Sequence, residues 1–388
     1  MKLGQIAPPK RLPWFRPNSQ QNARNDEARE ESYYRASQWQ LVWRKFKRHR
    51  LARLAIVVLA LLYFTAAFAE FLSPHDPQHR YTTRGQAPPM AVRFYEKSTG
   101  LHGPFVYDFE RKRDQVTARL MYTPDPAQKH RIRFLVPSDP YKMWGLFASD
   151  LHLFGSDVPV FLMGTDPLGR DLFSRILYGS RISLTVGLIG VGLSLVLGLV
   201  LGGISGYFGG ASDEIIQRLV DLLIALPTIP LWMALAAALP QDWPQTRTYF
   251  AITIILSVLG WTTLARVVRG KILSLREEDF TLAARLDGES EWRIITRYLL
   301  PSFTSYIIVS LTMAIPLMIL GETALSFLGI GLRPPTISWG VLLQDAQDIQ
   351  AVAQYPWALW PTAFVVLAVL MFNFLGDGLR DAADPYVT

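Results

Sequence analysis

Long apolar runs alternate with polar, charge-bearing stretches along this chain, and each run is long enough to form a whole helix. The first, residues 54–72, holds 19 residues with one acid, Glu70, near its end, and Pro74 and Asp76 stop it. At about 1.5 Å per residue it nearly matches the roughly 30 Å hydrocarbon layer of a bilayer. Five more follow at 184–204, 222–239, 249–268, 306–320 and 357–374. Pro316 and Gly321 are expected to bend or end the fifth, whose apolar character resumes at 325–330. Six such runs have few places to be buried in a soluble fold. The pattern predicts an all-α polytopic membrane protein with six spans.

Basic residues set the expected orientation. The segment WRKFKRHRLAR, 43–53, carries Arg44, Lys45, Lys47, Arg48, Arg50 and Arg53 immediately before the first span. Such clusters stay on the cytoplasmic side. Threading six spans from there places 269–302 inside, with Arg269, Lys271, Arg276, Arg285, Arg293 and Arg297, whereas the short outer loop 240–248 carries only Arg247. Both ends are then cytoplasmic: a polar tail and basic juxtamembrane segment over 1–53, and a tail over 377–388. Residues 73–179 lie outside. Their alternation of apolar and charged positions, as at Ile132, Phe134 and Val136, predicts short strands bounded by prolines. Residues 180–376 form the core with the other five spans.

Composition narrows the class. Charged residues make up 18% of the chain against about 25% in soluble domains, and half the residues are hydrophobic. The formal charge of +7 is spread too thinly for a nucleic-acid surface. Cysteine is absent, which excludes disulfides and thiolate metal sites. The first apolar run starts too far in and is too long for a cleavable signal, so no processing is expected.

Packing cues are concentrated in two places. Gly198, Gly202 and Gly206 put small residues on one face of the second span, where a neighbour can approach closely. In the third region Arg218 and Asp221 are three apart and are expected to pair. Intramembrane acids are scarce, which weighs against a proton- or sodium-coupled carrier.

The loop between spans four and five is too elaborate for a connection. In REEDFTLAARLDGESEWRIITRYLLPS, 276–302, Phe280, Ala283, Ala284 and Leu286 form one helical surface and Trp292, Ile295, Tyr298 and Leu299 a second. Gly288 permits a sharp turn between them, and Pro301 closes the unit. A short helix with small residues suits contact with a soluble motor. A helix lying in the headgroups fits these residues equally well.

The same loop resembles the EAA loop of ABC importer permeases: Ala283, Ala284, Gly288 and Leu300-Pro301 match, while Leu282 stands where the family has glutamate. Further segments resemble the dipeptide/oligopeptide permease family, in its second permease type. They are MGTDPLGRDLFSRILYGSRISLTVGL (163–188), GGISGYFGG (202–210), GWTTLARVVRG (260–270), ETALSFLGIGLRPPTISWGVLL (322–343) and NFLGDGLRDAADP (373–385). They follow in family order from Trp43 to Pro385.

That resemblance implies a type I ABC importer transmembrane domain in a bacterial inner membrane. A homologous permease would complete the pore, and two ATPase subunits holding ATP and magnesium would dock on Leu282, Ala283, Ala284, Gly288, Leu300 and Pro301. An extracytoplasmic binding protein would deliver the peptide for alternating access. The chain has no Walker A segment of its own, so it is expected to bind no cofactor and to catalyse nothing. Other solutes such as an oligosaccharide, nickel or glutathione, or a structural subunit without transport, remain open. Pro334, Pro335 and Trp339 are expected at an interfacial elbow, Glu322 against a partner or a broken helix, and Asp377, Arg380 and Asp381 in surface charge pairs.

Overall fold

The computed structural model describes residues 38–383 except 97–99, 114 and 116–119. The expectations for 1–37 and 384–388 lie outside the described residues. Among the described residues, five helices are long and apolar enough to cross a membrane: Arg50–Ala67, Leu172–Phe208, Gln245–Leu275, Thr304–Phe327 and Pro356–Ala383. A further apolar pair, Gly210–Ala225 and Thr228–Ala237, is bent by 90° at its break and makes a sixth crossing if the two pieces count as one span. The run 222–239 is therefore not one straight helix. Leu226 precedes Pro227 and is extended (ψ 135°), because the proline ring excludes the helical conformation before it.

The other spans also depart from the apolar runs that announce them. The first ends at Ala67 and restarts as a short helix, Ala69–Leu72. Arg181 of the second span donates to the carbonyls of Ala66 and Ala67 (3.0 and 3.2 Å), and its guanidinium pairs with buried Glu70 at 2.7 Å. The second helix begins at Leu172, well before the apolar run, because Asp171 caps it by accepting from the Ser174 amide (2.8 Å). Its 37 residues span about 55 Å, so one part stands clear of the hydrocarbon layer. The fifth helix runs unbroken through Pro316 and Gly321. Gly321 serves packing instead: a Cβ there would meet the Trp232 ring at 2.8 Å.

The second and fourth spans are in backbone contact along the glycine face. Cβ atoms on Gly198, Gly202 and Gly206 would lie 2.8 Å from Leu264 Cδ2, 2.6 Å from the Ala265 carbonyl and 2.8 Å from the Arg269 carbonyl. The Ser257 hydroxyl adds a bond to the Gly190 carbonyl (3.0 Å). Arg218 and Asp221 do not pair. Arg218 reaches Glu214, one turn earlier, and Asp221 takes Arg266 of the fourth span at 2.6 Å.

Glu322 faces neither a partner nor a broken helix. It is fully buried and accepts from the hydroxyls of Ser183 (3.1 Å), Ser326 (2.8 Å) and Ser338 (2.7 Å). Each of those hydroxyls in turn accepts a backbone amide, from Trp339, Leu332 and Val341 respectively. The network is satisfied at every member, which makes it a rigid tie between the second span and the segment after the fifth. Trp339 is likewise no interfacial residue. It is fully buried, and its indole donates to the Ile176 carbonyl (3.2 Å). At the end of the last span Asp381 lies 3.7 Å from His49.

Between the first two spans, β1 (Arg93–Glu96), β2 (Gly100–Arg113) and β3 (Leu120–Arg131) form an antiparallel sheet in that order, and β4 (Arg133–Met143) pairs with β5 (Phe147–Gly155). The strands are longer than expected, and their prolines lie within them, with a register shift between Pro137 and Tyr141 in β4. The insertion is tied down by Asp166, which pairs with Arg170 (2.6 Å) and buried Arg175, and by the Trp357 indole, which donates to the Thr165 carbonyl (3.2 Å).

His75 gives this insertion a pH response. The Val160 amide donates to Nε2 (3.1 Å), so the ring proton sits on Nδ1, against the Tyr81 hydroxyl (3.1 Å). Burial pushes His75 down from 6.5 to about 4, with Asp139 opposing. Above pH 6.5 the ring is neutral folded or unfolded and favours neither. As pH falls from 6.5 to 4, only the unfolded form takes up the proton, and roughly 3 kcal/mol of local stability is lost. Protease cleavage within 73–160 should accelerate across that window; a rate flat from pH 7 to 4 contradicts this assignment.

Candidate functional site

The loop after the fourth span folds as the short helix Asp279–Leu286, a turn, and the pieces Glu291–Arg293, Ile294–Leu299 and Leu300–Ser302 leading to the fifth span. The turn is set by Gly288 at φ +75°. The Gly288 amide donates to the Arg285 carbonyl and the Glu289 amide to the Ala284 carbonyl, both at 3.1 Å. This paired pattern closes a helix end and needs a left-handed residue at its pivot. A Cβ on Gly288 would meet nothing within 4 Å, so its requirement is conformational, not steric. Ile294–Leu299 is a wider turn, with the Leu300 amide bonded to the Ile295 carbonyl five residues back, directly before Pro301, which has no N–H to offer.

The two faces of the loop differ sharply. Thr281 and Ala284 point inward, and Ala284 packs in a buried cluster with Tyr207, Ile272, Ile294, Ile295 and Leu299. Arg285 lies over the Tyr207 ring at 5.1 Å. Leu282 (43%), Leu286 (89%) and Phe280 (41%) are exposed, and so are Ala283, Gly288 and Pro301, while Leu300 is half-buried. The structure thus separates residues expected to share one contact surface. Ala284 belongs to the chain's own core, because its side chain falls on the inward face of the helix with Thr281, three residues earlier. The outward apolar face is Phe280, Leu282, Ala283 and Leu286.

The second span, the broken third and the fourth and fifth line an open groove of about 800 Å³, with Ile229 and Leu317 exposed along it. Val191, Ser194, Thr228, Trp232, Thr263 and Ser310 are among its lining residues, and among the described residues no Asp, Glu, Lys, Arg or His contributes. The Trp232 indole N–H is buried without a hydrogen-bond partner. Sequence reasoning missed this site. The kink at Pro227 is what turns Thr228 and Trp232 toward it, and only the Pro227/Pro230 pair hinted at that bend. Among the described residues, no group of three or more His, Asp or Glu is placed to hold a metal ion.

Comparison with known proteins identifies the family. Residues 198–388 match the family described as binding-protein-dependent transport system inner membrane component, and 37–89 match the N-terminal transmembrane domain of oligopeptide transport permease C. The dipeptide transport system permease protein of Bacillus subtilis is 30% identical over 372 residues, covering 96% of this chain and 92% of that protein. The chain belongs to the ABC importer permeases of the peptide type. The oligopeptide transport system permease protein of B. subtilis is 38% identical over 241 residues, 61% of this chain and 76% of its own. The glutathione transport system permease protein of Pectobacterium atrosepticum is 30% identical over 347 residues, 89% of this chain and 91% of its own. As a permease the chain is a multi-pass, pore-forming membrane subunit without catalysis of its own. The loop and most of the groove lie inside the matched core of the family.

Proposed function

We propose that this permease imports short peptides by alternating access, with the groove as its half of the passage and the Asp279–Leu286 helix as the lever. The observation that carries the reading is similarity to a dipeptide permease along nearly the whole chain. An uncharged lining with hydroxyls suits a main chain whose side chains vary in charge. The similarity to a glutathione permease favours glutathione, itself a small peptide, as the second reading.

The partners follow from the same reading: a homologous permease completes the pore, and two ATPases holding ATP and magnesium dock on the exposed face of Leu282, Ala283 and Leu286. An extracytoplasmic binding protein delivers the substrate. Gly288, Leu300 and Pro301 set the angle of the lever, and Ala284 anchors it to the spans. The basic segment 43–53 supports cytoplasmic placement of 1–53, 276–302 and 377–388, with 73–179 outside and 180–376 as the core.

Reconstitution into proteoliposomes tests the proposal. The complete complex should accumulate a labelled dipeptide when ATP is supplied, and the purified chain alone should neither hydrolyse ATP nor take up peptide. Uptake or hydrolysis by the chain alone would sink the reading.

A further inference from the structure

The turn joining β4 to β5 holds Trp144 at φ +53°, followed by Gly145 at φ +75°. A bulky residue is a genuine outlier in that region, where glycine or asparagine would be free of strain. The fold keeps tryptophan at the position nonetheless. Its ring lies edge-on to Phe147 across the turn (6.4 Å) and is half exposed, and its indole N–H reaches off the hairpin to donate to the carbonyl of Ala67 (2.7 Å), the last residue of the first span. Its ring lies 5.6 Å from Phe68, which lies 4.8 Å from Phe64. Beside it, Leu146 is 76% and Phe147 61% exposed.

The hairpin descends along the second span. Near its open end Phe154 of β5 lies 6.0 Å from Phe173, at the start of that helix. Its tip reaches the level of Arg181, which bonds to the same Ala67 carbonyl. The first span presents Leu54, Val57, Leu61 and Phe64 as exposed residues at helical spacing, so they share one bare face. That face, the lipid-facing stripe of a membrane helix, runs on through Phe68 into Trp144, Leu146 and Phe147. Lys142, exposed at the root of the turn, carries a cation suited to phosphate headgroups.

We propose that the β4–β5 tip is a second membrane anchor, inserted at the headgroup–acyl boundary beside the first span, and that the lipid bilayer is what covers it. Aromatic residues with one polar edge favour that depth. A strained tryptophan is then retained because its ring and N–H fix the depth of the tip against the end of the span. The insertion is thereby held to the membrane at two places, through the second helix and through lipid.

The cysteine-free chain allows a direct test. Full-length protein carrying Leu146→Cys, spin-labelled and placed in nanodiscs of phosphatidylethanolamine and phosphatidylglycerol, is compared with Leu135→Cys, exposed near the opposite end of β4. The label at 146 should collide more with oxygen than with a water-soluble nickel chelate, and the label at 135 should show the reverse. Phe147→Cys supplies a second reporter at the tip. Labels at 146 and 147 as open to the chelate as the one at 135 would overturn the proposal in favour of a solvent-exposed tip. Shielding of both from either reagent would overturn it in favour of protein contact.

Discussion

Gly202→Leu should separate the second and fourth spans and abolish transport, while Gly192→Leu on the same helix should be tolerated. A Cβ on Gly202 would lie 2.6 Å from the Ala265 carbonyl oxygen and 2.9 Å from its Cα, both backbone atoms that cannot rotate away. One on Gly192 would meet nothing within 4 Å. Overpacking of a filled core costs roughly 1–3 kcal/mol, and a clash with backbone belongs at the upper end. The loss is larger in effect than that figure alone, because close approach is the main attraction between helices in a solvent as apolar as their side chains. The unfolding midpoint in detergent should fall clearly for Gly202→Leu and stay near wild type for Gly192→Leu. Equal midpoints would show that the glycine face is not the packing seam.

That seam was legible in the sequence because its signal is local: three glycines at helical spacing put a groove on one face wherever the helix goes. Gly288 was legible for the same reason, since a glycine between two periodic segments marks a helix end. The inward face of the loop helix was not. Ala283 and Ala284 are equivalent in composition, and only the docking of Ile294, Ile295 and Leu299 decides which is buried. The bend at Pro227 was announced by its residue but masked by the uniform apolar character of 222–239, where no polar face fixes direction. Glu322 was misplaced because its serine partners Ser183 and Ser338 come from distant parts of the chain, and no local pattern links them. The same holds for Arg181 and Glu70. In a membrane bundle the spans are announced by hydrophobicity, whereas the buried polar ties that fix their neighbours are long-range.

The second large effect is expected at the outward face of the loop helix. Leu286→Glu and Leu282→Glu should each weaken attachment of the ATPase subunits, and together they should abolish it. Both side chains are exposed in the isolated chain, and neither belongs to the buried cluster beneath the loop. Burying a leucine in a partner's groove contributes roughly 1.5–3 kcal/mol, so losing the pair weakens docking at least about a hundredfold. Leu282→Glu is the sharper variant, because it restores the glutamate of the EAA pattern at that position. If Leu282 makes an apolar contact in this permease, the restored charge hinders docking. Ala284→Trp is unsuitable as a companion, since it would break the chain's own core. Gly288→Val serves better: it meets no neighbour but forces a branched residue to φ +75°, at a cost of roughly 1 kcal/mol or more, and so tilts the helix without touching the spans.

The most direct measurement is co-purification of the ATPase subunits, with peptide-stimulated ATP hydrolysis, for the reconstituted complex carrying Leu282→Glu and Leu286→Glu. Normal membrane insertion and normal pairing with the second permease are expected, together with loss of the ATPases and of stimulated hydrolysis. Wild-type ATPase retention and hydrolysis in that double variant would contradict ATPase docking on this face.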